Sequence, residues 1–157
     1  MLAIEGLNVF RGLAAAYPEL DTDSVVAPPG RRALAALDVE CTIHLGDVLQ
    51  ELGTEPATMF TQPVPADWQR RLDQNTAGNQ TTVAPLLVLQ GTADTVVNPN
   101  GTTQYVQRAC AFSQSVNYSV YEGATHQTIP FVSQNNYVRW IADRFARKRA
   151  ASNCPPR

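Results

Sequence analysis

The sequence predicts an α/β fold, in which a helical first half is followed by a strand, a helix, a second strand and a last helix. An apolar run over residues 86–90, between Pro85 and Gly91, is typical of a buried strand, and residues 116–121 form a second strand-like run. Helical patterns follow both runs, and this alternation indicates parallel strands joined by a right-handed crossover. Because two parallel strands do not form a stable sheet alone, we expect them to be the edge of a larger sheet that is incomplete in this sequence.

Composition is that of a globular protein and argues against two kinds of partner. The 157 residues suffice for one domain that buries about two-thirds of its unfolded surface. The net charge of −2 comes from intermixed acidic and basic residues, so we expect no nucleic-acid partner, because such proteins carry a basic patch. No apolar run approaches the roughly 18 residues of a membrane span, and no glycine-rich phosphate loop is found. We therefore expect no membrane span and no cofactor.

The N-terminus does not have the pattern of a signal peptide. Glu5 and Arg11 interrupt the segment that would have to be apolar, although the alanines at 14–16 resemble a cleavage site. The residues themselves therefore leave the localisation of the chain unknown.

Residues 28–53 have the spacing of one long helix. Apolar side chains recur there at steps of three and four, which places them on one helix face. Pro28 and Pro29 indicate the start of this helix and Gly53 its end. His44 lies at the edge of the apolar face, and as a lone histidine on a helix it is interpreted as a packed or solvent-edge residue and not as a catalytic one. The apolar face consists of Leu34, Leu37, Cys41, Leu45, Val48 and Leu52.

The pattern changes near residue 80. Residues 53–80 are rich in loop signals, with one short helix predicted around Trp68 to Leu72. Beyond them, the two helices of the strand–helix alternation are predicted at about 102–111 and 130–148. The second of these helices has one apolar face, which is formed by Val138, Ile141 and Phe145.

Asp94 and His126 follow the two predicted strands, each in the loop that precedes a helix. In a parallel unit both loops leave the same edge of the sheet, so the two side chains are expected to meet there. A carboxylate that accepts the Nδ1 proton of a histidine leaves Nε2 to act as a base. We therefore interpret Asp94 and His126 as a catalytic pair, with the carboxylate about 2.6–3.2 Å from Nδ1. Gly91 and Gly123 are expected to let the loops approach closely.

The nucleophile that would complete a catalytic triad is missing. No serine of the chain lies between glycines at Gly-x-Ser-x-Gly spacing, and none follows a strand and opens a helix. We therefore expect the chain to carry an acid and a histidine without their serine. The serines present are Ser24, Ser113, Ser115, Ser119, Ser133 and Ser152.

Three cysteines are present, and no two of them have the close spacing of a metal-binding pair, so we expect no zinc site. If the chain is exported, Cys110 and Cys154 are expected to form a disulfide. Cys110 lies at the end of the predicted helix that follows the Asp94 loop. Cys154 follows the last predicted helix, which returns along the same sheet. Cys41 remains a competitor for that bond.

Three stretches of the second half resemble the C-terminal part of secretory lipases of the lipase A type, which are α/β-hydrolases. They are APLLVLQGTADTVVNPNGTTQYVQRACA, VNYSVYEGATHQTI and NNYVRWIADRF. Two earlier stretches, LNVFRGLAAAYPEL and PPGRRALAALDVEC, look like the helical cap of that family, so the resemblance covers about residues 5–154. It implies that residues 1–80 are a helical cap-like segment and residues 81–157 the C-terminal α/β-hydrolase portion.

The resemblance implies a lipase or carboxylesterase that hydrolyses acyl esters such as triacylglycerols through an acyl-enzyme. Asp94 would be the triad acid and His126 the triad base. The family is secreted, and its substrates are lipids or other acyl esters.

The sequence departs from the family because the serine elbow and the strands before the cap have no counterpart. This departure predicts a gene fragment, a chain with a mis-called start or one part of a split protein, which lacks its N-terminal half and is inactive alone. A cap cysteine in such lipases can bridge to the N-terminal half, so Cys41 would have lost its partner. Two alternatives stay open: a non-catalytic binding or interaction domain derived from a hydrolase, and a serine peptidase of the same fold.

Overall fold

The structure is a computed structural model that describes residues 2–39, 42–51, 53 and 55–155. The chain forms two compact units, Met1–Asn75 and Thr76–Arg157. Each unit has its own cluster of buried apolar side chains.

The first unit is helical, as predicted. Its α-helices are α1 (Leu2–Ala16), α2 (Pro28–Ala36), α3 (Thr42–Glu51) and α4 (Ala66–Asn75). Short 3-10 helices lie at Thr22–Ser24 and Pro56–Thr58, and an isolated antiparallel bridge joins Val26 to Phe60.

Trp68 is the largest fully buried side chain of this unit. Its ring packs edge-on against Phe10 of α1, with 5.2 Å between the ring centroids. The indole Nε1 donates hydrogen bonds to Ser24 Oγ at 3.0 Å and to the carbonyl of Asp21 at 3.2 Å, so the buried polar atom is satisfied. The short helix predicted around Trp68 is confirmed, and α4 extends it at both ends.

The prediction of one helix over residues 28–53 is wrong, because the chain turns after Ala36 and begins α3 at Thr42. Leu37 N–H donates to the carbonyl of Leu34 and Asp38 N–H to the carbonyl of Ala35, and these i→i−3 bonds tighten the last turn of α2. The carboxylate of Asp38 accepts a hydrogen bond from Arg11 Nε of α1 at 2.9 Å, a tertiary contact that the helical period could not reveal. Two residues of the predicted apolar face, Cys41 and Leu52, lie outside the described residues.

The second unit contains both predicted strands. They are β1 (Leu86–Gly91) and β2 (Val116–Tyr121), paired in parallel, and in the part of the chain that the structure describes they form a two-stranded sheet. Between them lies α5 (Pro99–Ala111), which begins three residues earlier than predicted because the side chain of Asn98 accepts from the amide of Asn100 and caps the helix. Leu86 and Val88 of β1 pack with Val106 and Ala109 of α5 and with Val116 of β2.

The last predicted helix is two helices, α6 (Ile129–Val132) and α7 (Gln134–Phe145), so the prediction of one helix over 130–148 is wrong. Ser133 separates them: its backbone has φ −96° and ψ 0°, outside the helical range, and its hydroxyl donates to the carbonyl of Ile129 at 2.6 Å, a back-bond of the kind that bends helices. Arg147 has φ 57°, a left-handed conformation that ends the helical run before residue 148. The predicted apolar face is largely exposed: Val138 by 52%, Ile141 by 45% and Phe145 by 86%.

The segment after α7 covers the outer edge of β2. Asn153 N–H donates to the carbonyl of Val116 at 3.0 Å, and the Asn153 amide accepts from Tyr118 N–H at 2.9 Å and donates to its carbonyl at 2.7 Å. The side chain of Asn153 thus replaces a neighbouring strand for backbone groups that would otherwise lack partners.

Cys110 and Cys154 form the expected disulfide, with 5.5 Å between their Cα atoms. Since the bond closes a loop with a sequence separation of 44, replacing both cysteines by alanine is expected to lower the free energy of unfolding by about 4 kcal/mol in the chain-entropy model. Urea unfolding of the oxidised protein and of the variant measures this difference. The wild type in reductant serves as the control and should be as stable as the variant. If the free energies of unfolding of the oxidised wild type and the variant differ by less than about 1 kcal/mol, the prediction is contradicted.

Among the described residues, no helix is long and apolar enough to cross a membrane. Within the same residues, no group of three or more histidine, cysteine, aspartate or glutamate side chains is placed to hold a metal ion.

Candidate active site

Asp94 lies in the loop between β1 and α5, three residues after the strand ends at Gly91. Its residue surface is 7% exposed. The carboxylate oxygen Oδ1 accepts hydrogen bonds from the backbone amides of Val96 at 2.9 Å and Val97 at 2.8 Å. This oxygen therefore organises the turn, which is the ordinary structural role of an aspartate in a loop.

His126 lies in the corresponding loop after β2, and backbone contacts hold the two loops together. Thr92 N–H donates to the carbonyl of Tyr121 at 3.0 Å and Ala93 N–H to the carbonyl of Ala124 at 3.0 Å. The hydroxyl of Thr92 accepts from the amide of Gly123 at 2.8 Å. Thr92 could not be identified from the sequence, because a threonine in a loop carries no signal of the amide that it will contact.

The two glycines of these loops have different roles. A Cβ atom built on Gly91 would lie 2.1 Å from the carbonyl oxygen of Ala124, so a residue with a side chain would force the loops apart. The expected close approach is confirmed at this position. At Gly123 a Cβ would meet nothing within 4 Å, and the expectation of close approach is wrong there. Its φ of 70° shows instead that glycine is needed for a left-handed turn.

The second carboxylate oxygen of Asp94 faces the imidazole of His126. Oδ2 lies 3.1 Å from Nδ1, within the expected range, so both residues lie at the same end of the sheet. Because an ionised carboxylate only accepts hydrogen bonds, a hydrogen bond across this contact requires the proton of a neutral imidazole on Nδ1 and leaves Nε2 without one. The His126 side chain is 46% exposed and the Asp94 side chain 4% exposed, so solvent reaches the imidazole while the carboxylate is buried.

The pKa of the Asp94 carboxyl lies below its ordinary value. Burial alone would raise this pKa, but the hydrogen bonds from the Val97 amide, from His126 and from the Val96 amide lower it by more. Asp94 is therefore ionised at neutral pH. Its charge stabilises the fold above the pKa of an unfolded aspartate, and that contribution is lost as the pH falls through the lower pKa of the folded state.

No serine of the described residues forms a hydrogen bond with His126. The serine hydroxyls whose contacts are resolved bind other groups: Ser24 the carbonyl of Asp21, Ser133 the carbonyl of Ile129, and Ser152 the carbonyl of Val116. Ser119 contacts the side chains of Asn117 and Asn136.

His44, which was interpreted as non-catalytic, is an exposed residue of α3 in the helical unit. It provides a second histidine, in the other unit of the chain, against which changes at His126 can be measured.

Comparison with known proteins gives one finding. The family model described as "Secretory lipase" matches residues 4–153. The chain matches no curated protein and no solved structure.

Proposed function

Because the chain belongs to the secretory lipase family, a family of lipase-type ester hydrolases, we propose that Asp94 and His126 are the acid and the base of a Ser-His-Asp triad. The observation that carries this proposal is the 3.1 Å contact between Asp94 Oδ2 and His126 Nδ1. The substrates are acyl esters of lipids, in keeping with the family. Residues 81–157 form the C-terminal portion of an α/β-hydrolase, and residues 1–80 form its helical cap.

The nucleophile is a serine supplied by a polypeptide segment outside these 157 residues. The absence of a Gly-x-Ser-x-Gly elbow from the sequence supports this part of the proposal. The exposed side chain of His126 also supports it, because an imidazole that is 46% exposed can be reached by a group from another segment.

The proposed reaction proceeds through an acyl-enzyme. His126 Nε2 accepts the proton of the serine hydroxyl as its oxygen attacks the ester carbonyl carbon. The resulting imidazolium is stabilised by the Asp94 carboxylate, and its proton passes to the departing alcohol when the carbon–oxygen bond of the ester breaks. His126 then activates a water molecule that hydrolyses the acyl-enzyme to the free fatty acid and restores the serine.

A secreted location is proposed on two grounds. The family is secretory, and the Cys110–Cys154 disulfide suits an oxidising compartment.

The purified 157-residue chain is expected to show no ester hydrolysis above buffer on a short-chain ester, because it lacks the nucleophile. Initial rates at several substrate concentrations measure this. Saturable hydrolysis that is lost on changing one of the chain's own serines to alanine would contradict the proposal of an external nucleophile.

The decisive observation is the coding sequence upstream of Met1. A reading frame that extends through a Gly-x-Ser-x-Gly elbow would supply the serine. The extended protein should then react with a fluorophosphonate, which labels activated serines, and should lose the label when that serine is replaced. Parallel assays with lipid esters and with peptides distinguish a lipase from a serine peptidase, and the absence of both activities in the extended protein would favour an interaction domain.

A further inference from the structure

Gln90 is a buried polar residue in the apolar strand β1. It is 4% exposed, and it lies on the face of the strand that Leu86 and Val88 share, where they pack with residues of α5. A glutamine in such a place is destabilising unless its amide is fully hydrogen-bonded. The contacts of this amide therefore indicate what the residue does.

The amide of Gln90 joins both ends of the loop that carries Asp94. Nε2 donates to the carbonyl of Gly91, at the start of the loop, at 3.0 Å and to the carbonyl of Val97, at its end, at 3.3 Å. Oε1 accepts from the hydroxyl of Thr102 in α5 at 2.6 Å. The two carbonyls define which amide atom is the nitrogen, because a carbonyl oxygen only accepts.

Val97 connects these hydrogen bonds of Gln90 to the candidate active site. Val97 accepts from Gln90 through its carbonyl and donates through its amide to Asp94 Oδ1 at 2.8 Å. The other carboxylate oxygen, Oδ2, contacts His126. A continuous set of hydrogen bonds thus runs from the hydroxyl of Thr102 to the imidazole.

We propose that Gln90 is a positioning residue of this site: with Thr102 it clamps the loop Gly91–Val97 and holds Asp94 Oδ2 at Nδ1 of His126. The effect on turnover rests on the proposed function, whereas the effect on the geometry of the pair does not.

Gln114 provides a matched control in the same unit. It is also 4% exposed. Its amide binds the segment that precedes β1, at the end of the strand remote from Asp94. Its Oε1 accepts from the amide of Thr82 at 2.6 Å, and its Nε2 donates to the carbonyl of Ala84 at 2.8 Å. Gln114→Leu therefore removes an equally buried amide without touching the Asp94 loop.

The test uses the ¹⁵N-labelled 157-residue chain and long-range ¹H–¹⁵N spectra, which report which ring nitrogen of a histidine carries the proton. The chain has two histidines, so His44→Gln assigns the signals of His126. In the wild type we expect the proton on Nδ1. In Gln90→Leu and in Thr102→Val we expect a mixture of the two tautomers, together with a rise in the pKa of Asp94 towards its ordinary value.

Two controls separate positioning from general stability. Gln114→Leu and Thr102→Ser, which keeps the hydroxyl, are expected to retain the wild-type tautomer and the wild-type pKa of Asp94. Wild-type spectra in both Gln90→Leu and Thr102→Val would overturn the proposal, and so would an equal change in Gln114→Leu. If Gln90→Leu does not fold, the comparison of Thr102→Val with Thr102→Ser decides.

Turnover provides a separate measurement in the protein extended through its nucleophile. Gln90→Leu is expected to lower kcat about 10- to 100-fold with little change in KM, because a displaced catalytic group affects the chemical step. If Asp94→Asn leaves turnover unchanged, the proposed function fails while the spectra still test the clamp. If Asp94→Asn abolishes turnover and the spectra of the Gln90 and Thr102 variants do not change, the clamp fails and the proposed function stands.

Discussion

Replacing His126 by alanine is expected to lower kcat for ester hydrolysis about 10⁶-fold in the protein extended through its nucleophile, a loss of the size that follows removal of a triad histidine in serine hydrolases. Without the imidazole, no group accepts the serine proton as the hydroxyl attacks or returns it to the leaving alcohol. Initial rates on a short-chain ester and the rate of fluorophosphonate labelling should fall together.

His44→Ala is the control for this change. It removes the other histidine of the chain, an exposed residue of the helical unit, and should leave kcat within about twofold of the wild type, because the proposed reaction gives His44 no role and substitutions of exposed residues usually have little effect. Turnover in His126→Ala within tenfold of the wild type would show that another group is the base, and the assignment of the triad would fall.

Replacing Asp94 by asparagine is expected to lower kcat about 10⁴-fold, the loss measured when the triad aspartate of a serine protease is changed in this way. The physical reason is the tautomer of His126. An amide nitrogen in place of Oδ2, which lies 3.1 Å from Nδ1, donates a hydrogen bond and requires Nδ1 to accept it. The proton then resides on Nε2, which can no longer act as a base.

The structure explains why asparagine is the informative substitution. Oδ1 accepts from the amides of Val96 and Val97, and the side-chain oxygen of asparagine can keep both bonds. Asp94→Asn should therefore retain most of the stability of the fold, whereas Asp94→Ala should lose the turn as well as the activity. Thermal unfolding measures the loss of stability in each variant, and kcat measures the loss of activity. An asparagine variant as active as the wild type would disprove the catalytic role of Asp94.

The strands and the meeting of Asp94 with His126 were predictable from the sequence, because they depend on short-range patterns. An apolar run that ends at Gly91 predicts a strand, and the strand–helix alternation predicts a parallel pair with both loops at one edge. That topology brings the two loops together, so a contact between the two side chains could be expected. The pairing of Cys110 with Cys154 was predictable for the same reason, because Cys110 lies in the last turn of α5 and Cys154 follows α7.

The breaks in the helices were not predictable, because they depend on contacts that periodicity does not record. The turn after α2 contains Asp38, which pairs with Arg11 from another helix. The division between α6 and α7 depends on how the Ser133 hydroxyl is oriented towards the carbonyl of Ile129. At the first break the apolar spacing of the sequence continues from Leu37 to Cys41 and Leu45.

The sequence by itself determined which residue types are available and in which order: a strand, an aspartate, a strand and a histidine, with no serine at elbow spacing. Only the tertiary structure decided how Asp94 divides its two oxygens, one for the turn and one for His126. It also decided that Gln90, an ordinary strand residue in the sequence, binds both ends of the Asp94 loop. The reason is that a side-chain amide or carboxylate acquires its partners from backbone groups, and the position of those groups in space is a property of the folded chain.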